Sequence, residues 1–396
     1  MIKTNKYLSF VAISFLLLFA VMSFFFEGMQ KISLWIFVPS AAVLAFFAVP
    51  HHRANGYMKL QIALYIWIAF TALIAINVPI AMNQLRRLVV CFLSIYAFNQ
   101  LAKDYKLIKW LYIVYLAFYL GMVYYASTHI IDADFDYTED RLNDGKLNAN
   151  MIAYFTFFTT YIVFVMAEMV EKRWGKYLFK WLFILSPIWS FVAAILTGSR
   201  QIFVIQVPLL IVLFYIRYLK NRKLSNRVGF LMVALVAGIV LIRLASSIYE
   251  GSNLNQRNEK SYLEDDRIEL IQDAFEVGIT HPLVGVGPGG FGQFKYGRSN
   301  FSHNNYLELF ANSGLLAIVL CIVLYWKFIK CQWGRYKQTK DKMFLVFLTF
   351  GLMYIVDNMF YVFYTNTWLI AFFFLVAMHG EQYYMKYYSR NKKLQI

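Results

Sequence analysis

Cysteine is almost missing from this chain. Cys91, Cys321 and Cys331 are its only three, all in or beside apolar runs or on the basic side of the topology described below. No polar loop on the opposite side therefore has a disulfide framework, and no CxxC pair offers a metal or redox site. Charge is scarce too: only 15% of the 396 residues are Asp, Glu, Lys or Arg, too few to coat a soluble domain. Internal repeats and low-complexity tracts are missing, and so is a phosphate-loop lysine. The stretch "GVGPGGFG" (285–292) holds a Gly-x-Gly. No Lys-Ser/Thr follows it and no strand–helix unit surrounds it, which argues against nucleotide binding.

What is present is apolar. Hydrophobic residues make up 60% of the chain and aromatics 19%, arranged in runs of about 20, the span of a bilayer hydrocarbon core. Runs near 7–25, 31–49, 60–79, 84–101, 108–127, 150–170, 178–198, 201–217, 228–247, 305–326, 343–361 and 365–381 predict twelve transmembrane helices. The fold class expected is thus an all-α polytopic membrane protein. The first run follows "MIKTNKY". It exceeds a signal-peptide core and has no small-x-small cleavage site before the next run, so it is read as a retained helix.

Lys and Arg orient the spans. With the N-terminus in the cytoplasm, 26 of the 38 basic residues fall on the inner side and 11 on the outer, with Arg243 inside the ninth span. This is the bias expected of cytoplasmic loops, and it puts both termini inside. The formal net charge of +16 is a topology signal and not a mark of nucleic-acid binding.

Three stretches follow: 1–247 with spans one to nine, a long outer loop at 248–304, and 305–396 with the last three spans and a cytoplasmic tail. A second outer loop, 129–150, is acidic, but its 132–144 run lacks the ligand spacing and Gly of a calcium loop. In the long loop "EDDRIELIQDAFEVG" carries Ile268, Ile271, Ala274, Phe275 and Val277 near helical spacing. Its acids cluster where a helix N-terminus favours them. The Gly/Pro run after it ends that helix, so the loop contains an amphipathic helix, a turn and a return into the tenth span.

Several polar residues stand out on the outer side. His303 borders the tenth span in "SHNNYLELFANSGLLA". It fits a general base titrating near neutral pH and fits equally well a helix-capping cluster with Asn304 and Asn305. Arg200, in "LTGSRQIFVI", is costly at that depth unless it faces a watery interior, or else it snorkels at a tight turn. Arg267 follows Glu264, Asp265 and Asp266, and an ordinary surface ion pair accounts for it. Arg86 and Arg87 sit at the outer end of the fourth span, either lining the same cavity or marking a misplaced boundary. Asp357 and Asn358 join that cavity or satisfy one another and the backbone. Several arginines with one histidine suit a phosphorylated lipid, because the guanidinium fork matches diphosphate oxygens.

"TGSRQ" (197–201), "DDRIELIQDAFEVGITHPLVGVGPGGFG" (265–292) and "SHNNYLELFANSGLLA" (302–317), in this order and spacing, resemble the O-antigen ligase and polymerase family of bacterial inner-membrane glycosyltransferases. The resemblance implies a fold related to the C-type membrane glycosyltransferases, with a large periplasmic loop and the active site facing the periplasm. It implies metal-independent, inverting transfer of a glycan from undecaprenyl diphosphate, with no cofactor. Arg200 and Arg267 would bind the diphosphate and His303 would activate the acceptor hydroxyl. Asn304, Asn305, Arg86, Arg87 and Asp266 would surround them, with Glu264, Asp265 and Asp266 as alternative bases or orienters of Arg267. The acceptor divides the family: lipid A–core for ligases, the reading placed first; a second lipid-linked repeat for polymerases; a protein side chain for O-glycosylating members. From outside the family, a flippase for lipid-linked glycans fits the span count but predicts polar residues at mid-membrane and matching halves. A structural subunit would leave Arg200 without a purpose.

Overall fold

The computed structural model describes residues 4–25, 29–50, 54–132, 149–199, 201–219, 223, 266–298 and 301–393. Regular structure among them is helical throughout. The helices are α1 (Lys6–Phe25), α2 (Met29–Ala48), α3 (Gly56–Ala72), α4 (Val78–Leu101), α5 (Tyr105–Asp132), α6 (Ala149–Met169), α7 (Arg173–Thr197), α8 (Gln201–Phe214, running on into a π-turn), α9 (Asp266–Thr280), α10 (Phe291–Tyr296), α11 (Asn305–Thr339), α12 (Lys342–Asp357) and α13 (Thr367–Lys393). The expected ninth span, 228–247, and most of the acidic loop lie outside the described residues.

Six of these helices have stretches long and apolar enough to cross a bilayer: Lys6–Phe24, Val78–Leu101, Tyr105–Thr128, Met151–Met169, Arg173–Thr197 and Asn305–Thr339. Two shorter apolar helices are Ser33–Ala48 and Val204–Tyr218. In hydrocarbon every backbone N–H and C=O needs an internal partner, which a helix supplies along its whole length.

Two boundaries differ from the hydropathy reading, for local reasons. The third apolar run does not continue to 79. Asn77 caps a new helix by accepting the Ile80 N–H (3.2 Å), with Pro79 at a position where a helix start tolerates it. Arg86 and Arg87 consequently lie in the third turn of α4, not at its end, and their side chains are exposed. At the other extreme α11 has 35 residues and closes at Lys340 with φ 56°. A break at Gly314 divides it, and the 315–339 part is about 38 Å long at 1.5 Å per residue, still beyond a 30 Å hydrocarbon core.

The chain forms two compact units, Met1–Val114 with Leu263–Ile396, and Tyr115–Tyr262; the division falls inside α5. Each is organised around one helix buried on all sides. In the first unit residues 368–380 of α13 are all buried. Rings from α11, α12 and α13 interlock around Phe373, with Tyr354 stacked on it at 5.1 Å and Tyr325 edge-on at 5.3 Å. Such pairs add about 0.5–1.5 kcal/mol each beyond their area. In the second unit residues 152–167 of α6 are buried. There Gln206 of α8 donates to Thr160 of α6 (2.5 Å) and Ser190 of α7 (2.8 Å), tying three helices together.

Candidate active site

The start of α11 is a broken helix, and the Gly/Pro run occupies the break. Gly314 has φ 74° and ψ −173° inside the helix. In an unbroken helix Ala311 and Asn312 would accept bonds from the residues four further on. Here the Leu315 N–H donates to the Pro282 carbonyl (2.8 Å) instead. The two released carbonyls accept from the 281–290 run, Ala311 from Val286 N–H (2.9 Å) and Asn312 from Gly287 N–H (3.0 Å). The Ser313 carbonyl takes the Trp67 indole N–H (2.8 Å). Each backbone group named at the break has a partner, as buried polar groups require. A Cβ on Gly314 would overlap the Leu283 carbonyl, and one on Gly285 would overlap the Asn312–Ser313 backbone. Of the glycines of "GVGPGGFG", Gly285 therefore serves close backbone approach in this break, whereas Gly287 lies against Ala75.

α9 closes over the same place. Ala274 and Val277 of α9, Val286, Phe291 and Ala311 form one buried apolar cluster, with Tyr296 and Leu307 at its edge. This is the inward face expected of the amphipathic helix, except that Phe275 points out and is 51% exposed. Outside the spans, Lys295 bridges Asp273 (3.0 Å) and Glu276 (2.6 Å), and the Tyr296 hydroxyl donates to Asp273. Partial burial raises the Asp273 pKa, but the hydrogen bonds from Tyr296 and Lys295 outweigh it and hold the carboxyl below its ordinary value. The hydrogen bonds to Glu276 and Asp273 push the Lys295 ammonium well above its own.

His303 sits in the turn before α11 and is half-buried. Its φ of 55° is left-handed, a conformation that costs a side chain other than Gly or Asn about 1–3 kcal/mol and persists only where the surroundings impose it. They do so here from both sides. Ser302 N–H donates to the Glu308 carboxylate (2.8 Å), and Ser302 Oγ bonds both the carbonyl (3.0 Å) and the N–H (3.3 Å) of Asn304. Asn304 is the N-cap, its side chain accepting from Tyr306 N–H (3.0 Å) and Leu307 N–H (3.1 Å). The cap of α11 thus belongs to Asn304 and not to His303.

Asn305 ties the start of α11 to the 358–364 turn. Its N–H donates to the Asn358 carbonyl (2.8 Å), and its side-chain oxygen accepts from Phe363 N–H (2.8 Å) and Tyr364 N–H (3.0 Å). Asn358 in turn accepts from the Tyr325 hydroxyl (3.0 Å), so of the Asp357–Asn358 pair at least Asn358 serves the backbone and the core. Arg86 and Arg87 are exposed in the third turn of α4 and not at a helix end. Arg267 is in the first turn of α9, half-buried, beside Asp266; α9 packs on α11. Arg200, Glu264 and Asp265 lie outside the described residues.

Sequence reasoning passed over Glu308 and Asn312. Glu308 is buried inside an apolar segment and accepts from the Asn312 side chain (2.8 Å) as well as from Ser302. Asn312 in turn accepts the Phe291 N–H (2.8 Å). The signal was available: an acid one turn into a span, with an amide four residues on, is expensive in lipid unless it is bonded.

Taken together, the helices define a polytopic α-helical membrane protein whose first unit holds a cluster of buried polar side chains around the start of α11. Residues 185–322 match the family model described as O-antigen ligase. The match supports the O-antigen ligase/polymerase family for this chain and, in general terms, a glycosyltransferase acting on lipid-linked glycans. It covers Arg200, Arg267 and His303, as well as the broken helix around Gly314. No curated protein matches the chain.

Proposed function

We propose that the chain transfers a glycan from undecaprenyl diphosphate to the hydroxyl of lipid A–core, as an inverting O-antigen ligase of the bacterial inner membrane working at the periplasmic face. The observation that carries the reading is His303: a histidine in a left-handed turn, flanked by bonded neighbours and relieved of capping by Asn304. Its imidazole takes the proton of the acceptor hydroxyl as that oxygen attacks the anomeric carbon. The bond from the anomeric carbon to the diphosphate oxygen breaks on the opposite side, and the electron pair leaves with the diphosphate. Arg267 meets that developing charge through its donor fork; Arg200 is assigned the same role from its sequence motif alone. Two cationic side chains supply the charge a leaving diphosphate needs, so no metal or cofactor is called for. The 248–304 segment is the periplasmic loop of this scheme.

The test is transfer by purified protein given an undecaprenyl diphosphate glycan, with lipid A–core or with no further acceptor. Product on lipid A–core supports the ligase reading, whereas chain extension without it makes the protein a polymerase. Full transfer by His303→Asn, which tolerates the left-handed backbone but lacks the base, would remove His303 from its role.

A further inference from the structure

Glu308 is the buried acid that the proposed mechanism leaves unused, and it is the hub of the bonds around His303. We infer that Glu308 is a positioning residue that sets the backbone of His303 through the Ser302 N–H, with Asn312 as its partner. The inference rests on the general-base role proposed for His303 and adds a residue to it.

The argument is one of hydrogen-bond polarity. A carboxylate only accepts, whereas a side-chain amide has one accepting and one donating end. One Glu308 oxygen accepts Ser302 N–H (2.8 Å) and the other accepts Asn312 Nδ2 (2.8 Å). The Asn312 oxygen accepts Phe291 N–H (2.8 Å). The run therefore begins and ends at backbone N–H donors, one beside His303 and one at the head of α10. Two donor ends facing inward demand a fixed order of acceptors and donors between them, and Glu followed by Asn satisfies it. Glu308, Asn312 and Ser302 are all buried, so water does not repair a mismatch.

The run also links the two irregular elements of the site. At its lower end Asn312 shares the helix break with Gly287, which donates to the Asn312 carbonyl (3.0 Å). At its upper end Ser302 spans the His303 turn by bonding both sides of Asn304. A shift of Glu308 is transmitted to the residue before His303, and the ring moves with the backbone. Misplacing a reacting group by an ångström costs on the order of a hundredfold in rate.

Glu308→Gln removes one acceptor. Its amide NH2 then faces either Ser302 N–H or the Asn312 amide, and turning Asn312 over only moves the clash to Phe291. The paired change Glu308→Gln with Asn312→Asp restores the order with the same formal charge. Gln accepts from Ser302 and donates to Asp, which accepts from Phe291.

The experiment measures transfer from undecaprenyl diphosphate-linked glycan, with whichever acceptor serves the unaltered protein, per folded molecule as judged by thermal melting. Glu308→Gln is expected to lower kcat by roughly ten- to a hundredfold while the donor KM stays within about twofold, since the diphosphate contacts are elsewhere. The paired variant is expected to recover most of kcat. An unchanged kcat per folded molecule in Glu308→Gln, or a folded paired variant as slow as the single one, overturns the inference. If Glu308→Gln fails to fold, the rate of the paired variant decides. His303→Asn in the same assay separates the two levels: if it is inactive while Glu308→Gln is unimpaired, only the role of Glu308 falls. If His303→Asn is fully active, the general-base reading falls and the inference with it.

Discussion

Both compact units bury polar side chains, but they spend them on different partners. In the Tyr115–Tyr262 unit, Gln206 bonds the hydroxyls of Thr160 and Ser190, side chain to side chain between three helices. In the other unit, Asn304, Asn305, Glu308 and Asn312 bond backbone N–H groups of Tyr306, Leu307, Phe363, Tyr364, Ser302 and Phe291. Most of these N–H groups lie in turns or at helix starts, where no helical carbonyl is available. Polar side chains that bond each other fix how helices register. Those that bond stray backbone groups let the chain leave helical geometry inside a buried region, and that is where a site is built.

The sharpest break of this contrast is His303→Asn, expected to cut transfer by about 10²–10⁴-fold, the range of general-base catalysis, with thermal melting little changed. Asn305→Leu is expected to act the other way. It leaves the Phe363 and Tyr364 N–H groups without their acceptor at about 1–3 kcal/mol each, seen as a clear fall in Tm, while Asn305→Asp keeps both acceptors and is milder. Gly314→Ala forces a Cβ into the Leu283 carbonyl at a left-handed φ, for about 1–3 kcal/mol of backbone strain before the overlap is added. Its Tm and its transfer rate are expected to fall together.

Gln206→Leu probes the other unit. It removes two side-chain bonds, so a loss of about 1–3 kcal/mol in all and an unchanged rate are expected. A large loss of transfer there would erase the distinction between the units.

The smallest effect belongs to Asp273. Its carboxyl is held below the ordinary value by Tyr296 and Lys295, so it stabilises the fold above the unfolded-state pKa. That contribution is lost as the pH falls through the depressed value. Asp273→Asn is expected to lower melting slightly at neutral pH and leave it unchanged in acid, which flattens the acid limb; the effect is small because solvent screens the partly exposed pair.

Much of the helical frame was legible from hydropathy because a span needs only length and apolar character, which composition carries locally. The amphipathic helix over Asp266–Thr280 was legible for a similar reason, since Ala274 and Val277 recur at its period. The start of α4 was not, because Asn77 and Pro79 had to be weighed as a cap inside an apolar run. His303 was visible as a polar residue at a span boundary, but which residue of "SHNN" caps α11 was not, and the structure gives that role to Asn304.

By itself the sequence determined the membrane class, the helical content and the three motif blocks, because these depend on residue type and on neighbours a few positions away. The tertiary structure decided what the glycines and asparagines are for. Gly285 lies against the Asn312–Ser313 backbone and Gly314 against Leu283, and Asn305 reaches Phe363 and Tyr364. Such partners are set by how the helices pack. No local pattern in "SHNNYLELFANSGLLA" states that its helix breaks at Gly314 or that Glu308 turns back to hold Ser302. Both follow from the need to pair every buried backbone group once the Gly/Pro run is folded against it.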